Sequence, residues 1–289
     1  MLAPHATAAL EYWFFKVNAG PVALLVDWIV RRKVNEKILR VSVHSSEKRE
    51  VVFEKLASDD QSFLGAERTV GQVGEVEWDL SIEAGEERIE PHIFPAKQLR
   101  LFDLTLVSAP RAAFTGWVRH GTQRVELRRA PGLVSHYWGR QLPQEWWWVS
   151  ANQFDREGVA VEAMVLRSGV WGVPIGMPLA YLYLHHEGSR RLWIAPPGAV
   201  QVSGSPESFE IQFRPIGAQA VRLIGQGRDY GDLGEGILNT LVGDLELWEG
   251  DKFIARAQGT AGLERRFPEG GGDSSLPRSA SLRGTGRSE

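Results

Sequence analysis

The stretch SHYWGRQLPQEWWWVSANQFD, Ser135 to Asp155, decides the fold. Its second half reads as a β-strand, Trp146 to Phe154. Side chains alternate between two faces along a strand, so Trp146, Trp148, Ser150, Asn152 and Phe154 share one side, and Trp147, Val149, Ala151 and Gln153 the other. One face thus offers indole, indole, hydroxyl, amide and phenyl. Such a face fits a cavity that holds an oily molecule and addresses one polar point on it, because an indole presents flat apolar area and a single donor while Asn152 both donates and accepts. The same indoles also read as barrel core.

The alternation extends over the chain. Period-two runs bounded by Gly, Pro, Asn and Asp include Glu11 to Asn18, Val22 to Arg31, Lys37 to His44, Glu75 to Glu83, Leu99 to Ser108, Phe114 to His120, Val159 to Arg167, Ala180 to His186 and Leu241 to Glu249. Hairpin turns are legible at Asn18-Ala19-Gly20-Pro21, His120-Gly121-Thr122, Glu187-Gly188-Ser189 and Glu249-Gly250-Asp251, where Gly supplies the positive φ that tight turns need. No window of a dozen residues carries an apolar stripe of helical period. Gly225 to Thr240, with five glycines, reads as a long loop.

An all-β chain follows. Its strands outnumber those of one eight-stranded barrel, and closure is how antiparallel sheets remove exposed edges, so two consecutive antiparallel β-barrels or sandwiches are expected. Ala130-Pro131-Gly132 punctuates the pattern, which divides the chain into 1–130, 131–264 and a tail, 265–289. The tail is rich in Gly, Ser, Pro and Arg, has almost nothing apolar to bury, and is expected to be disordered. Glu11-Tyr12-Trp13-Phe14-Phe15 carries aromatics on both faces, as befits a strand at an inter-domain seam.

Composition narrows the function classes. The 289 residues include 33 Lys and Arg against 36 Asp and Glu, a formal net charge of -3, so a nucleic-acid partner is not expected. The absence of Cys removes disulfides, thiolate nucleophiles and thiolate metal sites. No apolar run approaches the length of a spanning helix and MLAPHATAAL does not read as a secretory signal, so a cytoplasmic protein without a transmembrane segment is expected. Peripheral membrane contact and oligomeric state stay open. His185 and His186, adjacent in a strand, face opposite ways, and neither a metal-binding His pair nor a phosphate or dinucleotide loop is present. Neither a metal nor another cofactor is expected.

Among titratable residues, Glu162 interrupts an apolar strand and shares a face with Ala160 and Met164. Facing inward, it would be desolvated and kept protonated, fit to donate a proton to an alkene; facing outward, it is only the polar half of the alternation. Asp27 in LLVDWIV presents the same choice. His136, beside Tyr137, Trp138 and Arg140, reads as a tunable acid or as the partner of a loop carbonyl. Trp117 follows a Gly that permits close backbone approach.

Taken together, these segments resemble the tocopherol cyclase family and, more distantly, the carotenoid 1,2-hydratase and lipocalin-like group that includes decalin-forming Diels–Alderases. The likeness rests on Glu11-Tyr12-Trp13-Phe14-Phe15-Lys16-Val17, similar to the family's opening Glu-x-Trp-Tyr-Phe-x-Val, and on Thr115-Gly116-Trp117-Val118, Ala130-Pro131, Tyr137-Trp138-Gly139 and Pro143. It continues through Trp146-Trp147-Trp148-Val149-x-x-Asn152-x-Phe154, Arg228-Asp229-Tyr230-Gly231 and Leu245-Glu246-Leu247-Trp248-Glu249, and spans Glu11 to Glu264 in order. The chain departs from plant tocopherol cyclases in its shorter length, in the lack of a recognisable plastid transit segment and in the replacement of a Cys.

The resemblance implies two lipocalin-like barrels and a cofactor-independent isomerase that cyclises a polyene or a prenylated phenol of isoprenoid type. Glu162 or His136 would serve as acid, and Trp13, Asp27, Trp117, Trp138, Trp146, Trp148 and Asn152 would bind the hydrophobic substrate. Water capture by a hydratase, a Diels–Alder cyclisation that needs only shape, and a non-catalytic lipid or pigment carrier are the alternatives.

Overall fold

The computed structural model describes residues 5–45, 49–55, 63–85, 87–91, 104–167, 169–170, 173–174, 179–196 and 198–267. The expected tail from 268 onward lies outside the described residues. Among those described, the regular structure is β, apart from one 3₁₀ turn at Arg32–Val34.

The first sheet contains β1 (Leu10–Ala19), β2 (Val22–Arg31), β3 (Glu36–His44), β4 (Arg49–Lys55), β5 (Phe63–Leu64), β6 (Arg68–Val73), β7 (Val76–Glu83), β8 (Leu104–His120) and β9 (Gln123–Gly139). The second is built from β10 (Glu145–Ala151), β11 (Ala160–Arg167), β14 (Leu179–His186), β15 (Ser189–Ala195), β16 (Val200–Gly204), β17 (Ser208–Phe213), β18 (Val221–Gln226), β19 (Gly231–Asp232), β20 (Ile237–Glu249) and β21 (Lys252–Arg266). A small ribbon, β12 (Gly169–Val170) with β13 (Val173–Pro174), stands apart.

The two sheets share one plan. The strand order is β4-β3-β2-β1-β9-β8-β7-β6-β5 in the first and β15-β14-β11-β10-β21-β20-β18-β17-β16 in the second, all antiparallel. In each, the first and last strands of the meander pair at the centre, β1 with β9 and β10 with β21, and the free edges come from mid-sequence. Each sheet curls toward closure around its own core. Phe15, Val26, Leu39, Trp78 and Phe114 fill the first, and Trp147, Val149, Leu182, Ile211 and Leu247 the second.

The four hairpins read from sequence are present, with Gly20, Gly121, Gly188 and Gly250 all at positive φ. The expected break at residues 130/131 falls inside β9, which stays in the first sheet to Gly139. Pro has no amide hydrogen for the ladder and is tolerated at irregularities. Accordingly β8 and β9 slip register between Ala109 and Ala112, around Pro110, and again between Phe114 and Gly116, opposite the turn at Arg129 whose φ is +52°. Gly116 allows the approach its sequence suggested: a Cβ there would lie 2.1 Å from the Asp79 carbonyl oxygen. Arg265 and Arg266, expected to open the tail, belong to β21: Arg265 stacks on Trp147, and Arg266 lies over Trp146 and donates to the Pro143 carbonyl at 2.6 Å.

The outer faces of the central strands pack against one another. Phe14, Ala23, Leu25 and Leu133 from the first sheet meet Trp146, Trp148, Ile237 and Leu241 from the second. β1 is therefore buried on both sides, as the aromatics on both its faces suggested. Unusually for a seam, long polar side chains cross it. Asn18 donates to the Leu241 carbonyl at 2.9 Å, Arg40 to that of Leu233 at 3.0 Å, and Lys16 to those of Thr260 and Ser150 at 3.2 and 3.4 Å. Gly262 makes room for Lys16, since a Cβ there would lie 2.7 Å from the lysine Cε and 3.1 Å from the Trp148 ring.

Lys16 is fully buried and burial pushes its ammonium down to about 7. Between pH 7 and 10.5 the unfolded chain keeps a proton that the folded chain has shed, so stability rises with pH over that window. Replacing Lys16→Met should raise stability at pH 6, on the order of 1.4 kcal/mol per unit of depression, and flatten the slope above pH 7. Urea unfolding at pH 6, 8 and 9.5 checks this; a variant less stable at every pH would show that the amine is needed, not merely tolerated.

Candidate functional site

A hollow opens within the seam. Its walls come from the central strands of both sheets: Phe14 on β1, Leu25 and Asp27 on β2, Arg40 on β3, Tyr137 on β9, Trp146 and Trp148 on β10, Met164 on β11 and Glu264 on β21. Leu106, Leu142 and Pro143 complete it. The rings of Phe14 and Trp148 meet edge to face at 6.0 Å, and Tyr137 stacks on Tyr12 at 4.7 Å. The void measures about 40 Å³, enough for a water-sized group and far short of a whole polyene.

Three charged groups line this aromatic space. Asp27 and Arg40 sit opposite each other on β2 and β3 and form an ion pair at 2.7 Å, with both side chains nearly inaccessible. Burial pushes the Asp27 carboxyl up and Arg40 pulls against that shift; burial also works against the Arg40 charge, but Asp27 and Tyr12 more than offset it and hold the guanidinium protonated. Glu264 is the third. Trp146 Nε1 donates to one of its oxygens at 2.8 Å and Asn239 Nδ2 to the other at 3.0 Å. Loss of hydration pushes its carboxyl up to about 7, against the pull of Arg40. A carboxyl so tuned is a proton donor and acceptor near neutrality.

Glu162 lies one side chain behind this wall. It is fully buried and accepts from Ser108 Oγ at 2.7 Å, Tyr181 Oη at 3.0 Å and Trp148 Nε1 at 3.5 Å. Ser135 donates in turn to Ser108 at 2.6 Å, so a hydroxyl chain from the first sheet ends on a carboxylate of the second. Desolvation raises the Glu162 carboxyl and the three donors oppose it. It touches Trp148 but does not itself line the hollow.

The structure separates the other sequence candidates. Trp146, Trp148 and Asp27 come together at the hollow. Trp13, His136 and Trp138 belong to the opposite face of β1 and β9, at one end of the first sheet's interior. There His136 stacks on Trp13 at 4.8 Å and meets the Trp138 ring at a tilt of 37° and 4.7 Å, and its Nε2 is 3.0 Å from a Glu11 oxygen. Trp117 lies under the Arg124 guanidinium at the far end of the β8–β9 hairpin. Asn152 follows β10, donates to the Pro110 carbonyl at 3.5 Å and borders a separate groove. Phe154 packs on the second sheet's core instead of continuing the indole face.

Among the described residues, two clusters of potential metal ligands converge, each with its ligand atoms within 4.8 Å of one another. In the first, His5, Glu11 and His136, the Glu11 carboxylate already accepts from Arg32 and from the His5 amide. In the second, Glu50, Glu75 and His120, the imidazole bridges Glu50 at 2.9 Å and Ser45 at 3.0 Å. Neither touches the hollow, and neither was visible as a sequence spacing. Glu264 and Arg40 were missed as well. Glu264 stands at the end of the last strand, where the reading passed to the tail, and Arg40 shows only as one charge in an alternating strand.

Comparison with known proteins agrees with this geometry. The sequence profile of a family described as tocopherol cyclase-like matches residues 95–214. Among solved structures, kievitone hydratase from Nectria haematococca superposes with a TM-score of 0.58 at 9% identity, covering 91% of this chain and 89% of that one. CghA in complex with Sch210972 gives 0.63 at 12% identity with the same coverage, and CghA alone 0.62 at 13%. At such identities the structures establish the fold alone, two curled antiparallel sheets. The similarity to the tocopherol cyclase-like family thus lies over residues 95–214, a segment that includes β8 and β9 of the first sheet and β10 to β17.

Proposed function

We propose that the chain is an enzyme that protonates an alkene of an oily polyene or prenylated phenol in the seam hollow and lets the resulting cation close a ring. One observation carries the reading: Glu264, a carboxyl pushed up to about 7, stands in a wall otherwise made of Phe14, Tyr137, Trp146 and Trp148.

The chemistry follows from that juxtaposition. The Glu264 carboxylic proton goes to the less substituted carbon of a trisubstituted alkene, leaving a tertiary cation. Aromatic faces attract a desolvated cation by about 1–2 kcal/mol each. The phenol oxygen captures it, and the phenol proton returns to the Glu264 carboxylate, so the reaction is a net isomerisation. The Asp27–Arg40 pair keeps one negative charge neutralised beside the acid, and Trp146 and Asn239 fix the orientation of the carboxyl. Glu162 acts through others: it holds the Trp148 indole and the Tyr181 hydroxyl in place. His136 has no access to the guest from the opposite face of β9, where it secures Glu11.

A second reading has its own support. A void of about 40 Å³ beside a proton donor fits one or two waters, and water capture of the same cation would make the product a tertiary alcohol.

Incubation of 2-geranylhydroquinone with the protein in D₂O separates these readings. Ring closure gives a chromanol carrying one new C–D bond, hydration an alcohol with one, and a purely shape-driven cyclisation none. Glu264→Gln should lower turnover by roughly 100-fold or more, and the wild-type rate should fall as pH rises through about 7, where the acid form is lost. Between pH 4.5 and 7 the folded chain also holds a proton on Glu264 that the unfolded chain has released, so the decline of stability over that window should be shallower in the variant than in the wild type. Deuterium-free product, or full activity in Glu264→Gln, would overturn proton-driven cyclisation; binding of the phenol without turnover would favour a carrier.

A further inference from the structure

Away from the hollow, the first sheet gathers two imidazoles and a carboxylate at one end of its interior. Glu11 on β1 and His136 on β9 stand on strands that pair at the sheet centre, and both side chains are fully buried. His5, half-buried, comes from the segment ahead of β1. One ring nitrogen of each histidine and one Glu11 oxygen lie within 4.8 Å of one another, and His136 Nε2 is already 3.0 Å from Glu11 Oε1. Nitrogen and oxygen ligands bind Zn²⁺ at about 2.0–2.2 Å, which places tetrahedral neighbours roughly 3.4 Å apart, so shifts of about 1 Å bring the three donors onto one ion.

The His5 imidazole is placed as a ligand rather than as a hydrogen-bonding group. It lies flat on the Trp138 indole, with ring centroids 3.8 Å apart and planes inclined by 7°, and among the described residues its ring nitrogens make no hydrogen bond. Only its backbone amide does, donating to Glu11 Oε1 at 2.8 Å. Histidines elsewhere in the chain use the ring: His185 meets the Gly158 carbonyl at 2.6 Å, and His120 meets Ser45 and Glu50. Stacking fixes the plane of the His5 ring and leaves its nitrogens to a cation. The carboxylate is held as well, because Arg32 donates to Glu11 Oε2 at 2.5 Å and to the Ala8 carbonyl at 3.1 Å. Outer contacts of this kind orient metal ligands. The Arg32 charge at the same time tempers the affinity for a dication.

We infer that His5, Glu11 and His136 bind a divalent transition-metal ion, Zn²⁺ by its donor set, which clips the segment ahead of β1 to the paired strands β1 and β9. Two imidazoles and one carboxylate are a three-ligand set of open zinc sites, where a water completes the tetrahedron. Mg²⁺ and Ca²⁺ favour all-oxygen sets, and neutral imidazole is the usual nitrogen ligand of zinc. Binding exchanges the hydrogen bond between His136 and Glu11 for metal–ligand bonds and gives the His5 ring a partner. Trp13 and Trp138, stacked against the two imidazoles, shelter the ion from water. The site lies on the face of β9 opposite the hollow, which Tyr137 lines, so it stands apart from the chemistry proposed there.

Metal binding to the full chain, stripped by chelation and dialysis, tests this with Zn²⁺ and Co²⁺ as the probes. Titration calorimetry should show one Zn²⁺ per chain, bound at roughly micromolar concentration or tighter. The Co²⁺ form should develop the intense visible absorption of a tetrahedral site, and Zn²⁺ should raise the thermal midpoint of the wild-type protein. His5→Ala removes a half-buried ligand without opening the core, so its metal-free form should melt close to the wild type. It should bind Zn²⁺ about tenfold or more weakly and lose the thermal shift, and Glu11→Gln should weaken binding too. His120→Gln, in the other convergent cluster, should bind as the wild type does. Unchanged Zn²⁺ affinity and Co²⁺ spectrum in His5→Ala would overturn the site, as would loss of binding in His120→Gln or the lack of any Zn²⁺ isotherm in the wild type.

Discussion

Everything at the seam follows from β1 and its neighbours being buried on both faces. A curled sheet fills its own interior with one set of alternate residues, and here the other set meets a second sheet instead of water. Phe15 and Val26 serve the first sheet's core while Phe14 and Leu25, one residue away, serve the seam. The seam is not purely apolar. Lys16, Asn18, Asp27, Arg40 and Glu162 are all buried in it, and a buried polar group is costly unless it is hydrogen-bonded or paired. Each has its answer in carbonyls of the other sheet, in the Asp27–Arg40 pair or in the hydroxyl chain to Glu162. These contacts fix how one sheet sits on the other more narrowly than apolar packing alone would.

The shared plan of the two sheets explains where the site lies. Each meander brings its first and last strands together at its centre, and those centres face each other. Consequently β1, β9, β10 and β21, the strands nearest the ends of the two halves, supply Phe14, Tyr137, Trp146, Trp148 and Glu264 to one hollow. Groups far apart in sequence meet there because closure of each half requires it. The low polarisability of the surroundings then tunes them in opposite directions: the Lys16 amine is pushed down to about 7 and the Glu264 carboxyl up to about 7.

Much of this was legible in the sequence, and the gaps have physical causes. Alternation along Trp146 to Ala151 divides the indoles correctly between seam and core, whereas for Glu162 and Asp27 the alternation left inward and outward open, and both prove buried. Period two shows which residues share a side but not which side meets what. Trp13, His136 and Trp138 were therefore grouped with the substrate walls although they face the first sheet's interior. The Pro131 break was read as a boundary because proline usually interrupts a ladder; instead Pro131 stays in register opposite Ala113 within β9, between two register slips. Glu264 depends on Trp146 and Asn239, residues 118 and 25 positions away, for its environment, and no local pattern encodes such distances.

The small size of the hollow constrains the proposed chemistry further. A void of about 40 Å³ admits a reacting double bond and little more, whereas an open groove that shares Leu142 with it offers about 730 Å³. The rest of a prenyl chain would thus lie mostly in the groove, with the alkene nearest the phenol past Leu142 and Pro143 against Trp146 and Trp148. In that pose the acid meets one double bond of many, and the cation forms where aromatic faces are concentrated and bulk water is scarce. Selectivity for the site of protonation would then come from depth of insertion, which the aromatic wall limits. A deeper, wider cavity would relax that control, so the tightness of the seam is part of the proposed mechanism and not an obstacle to it.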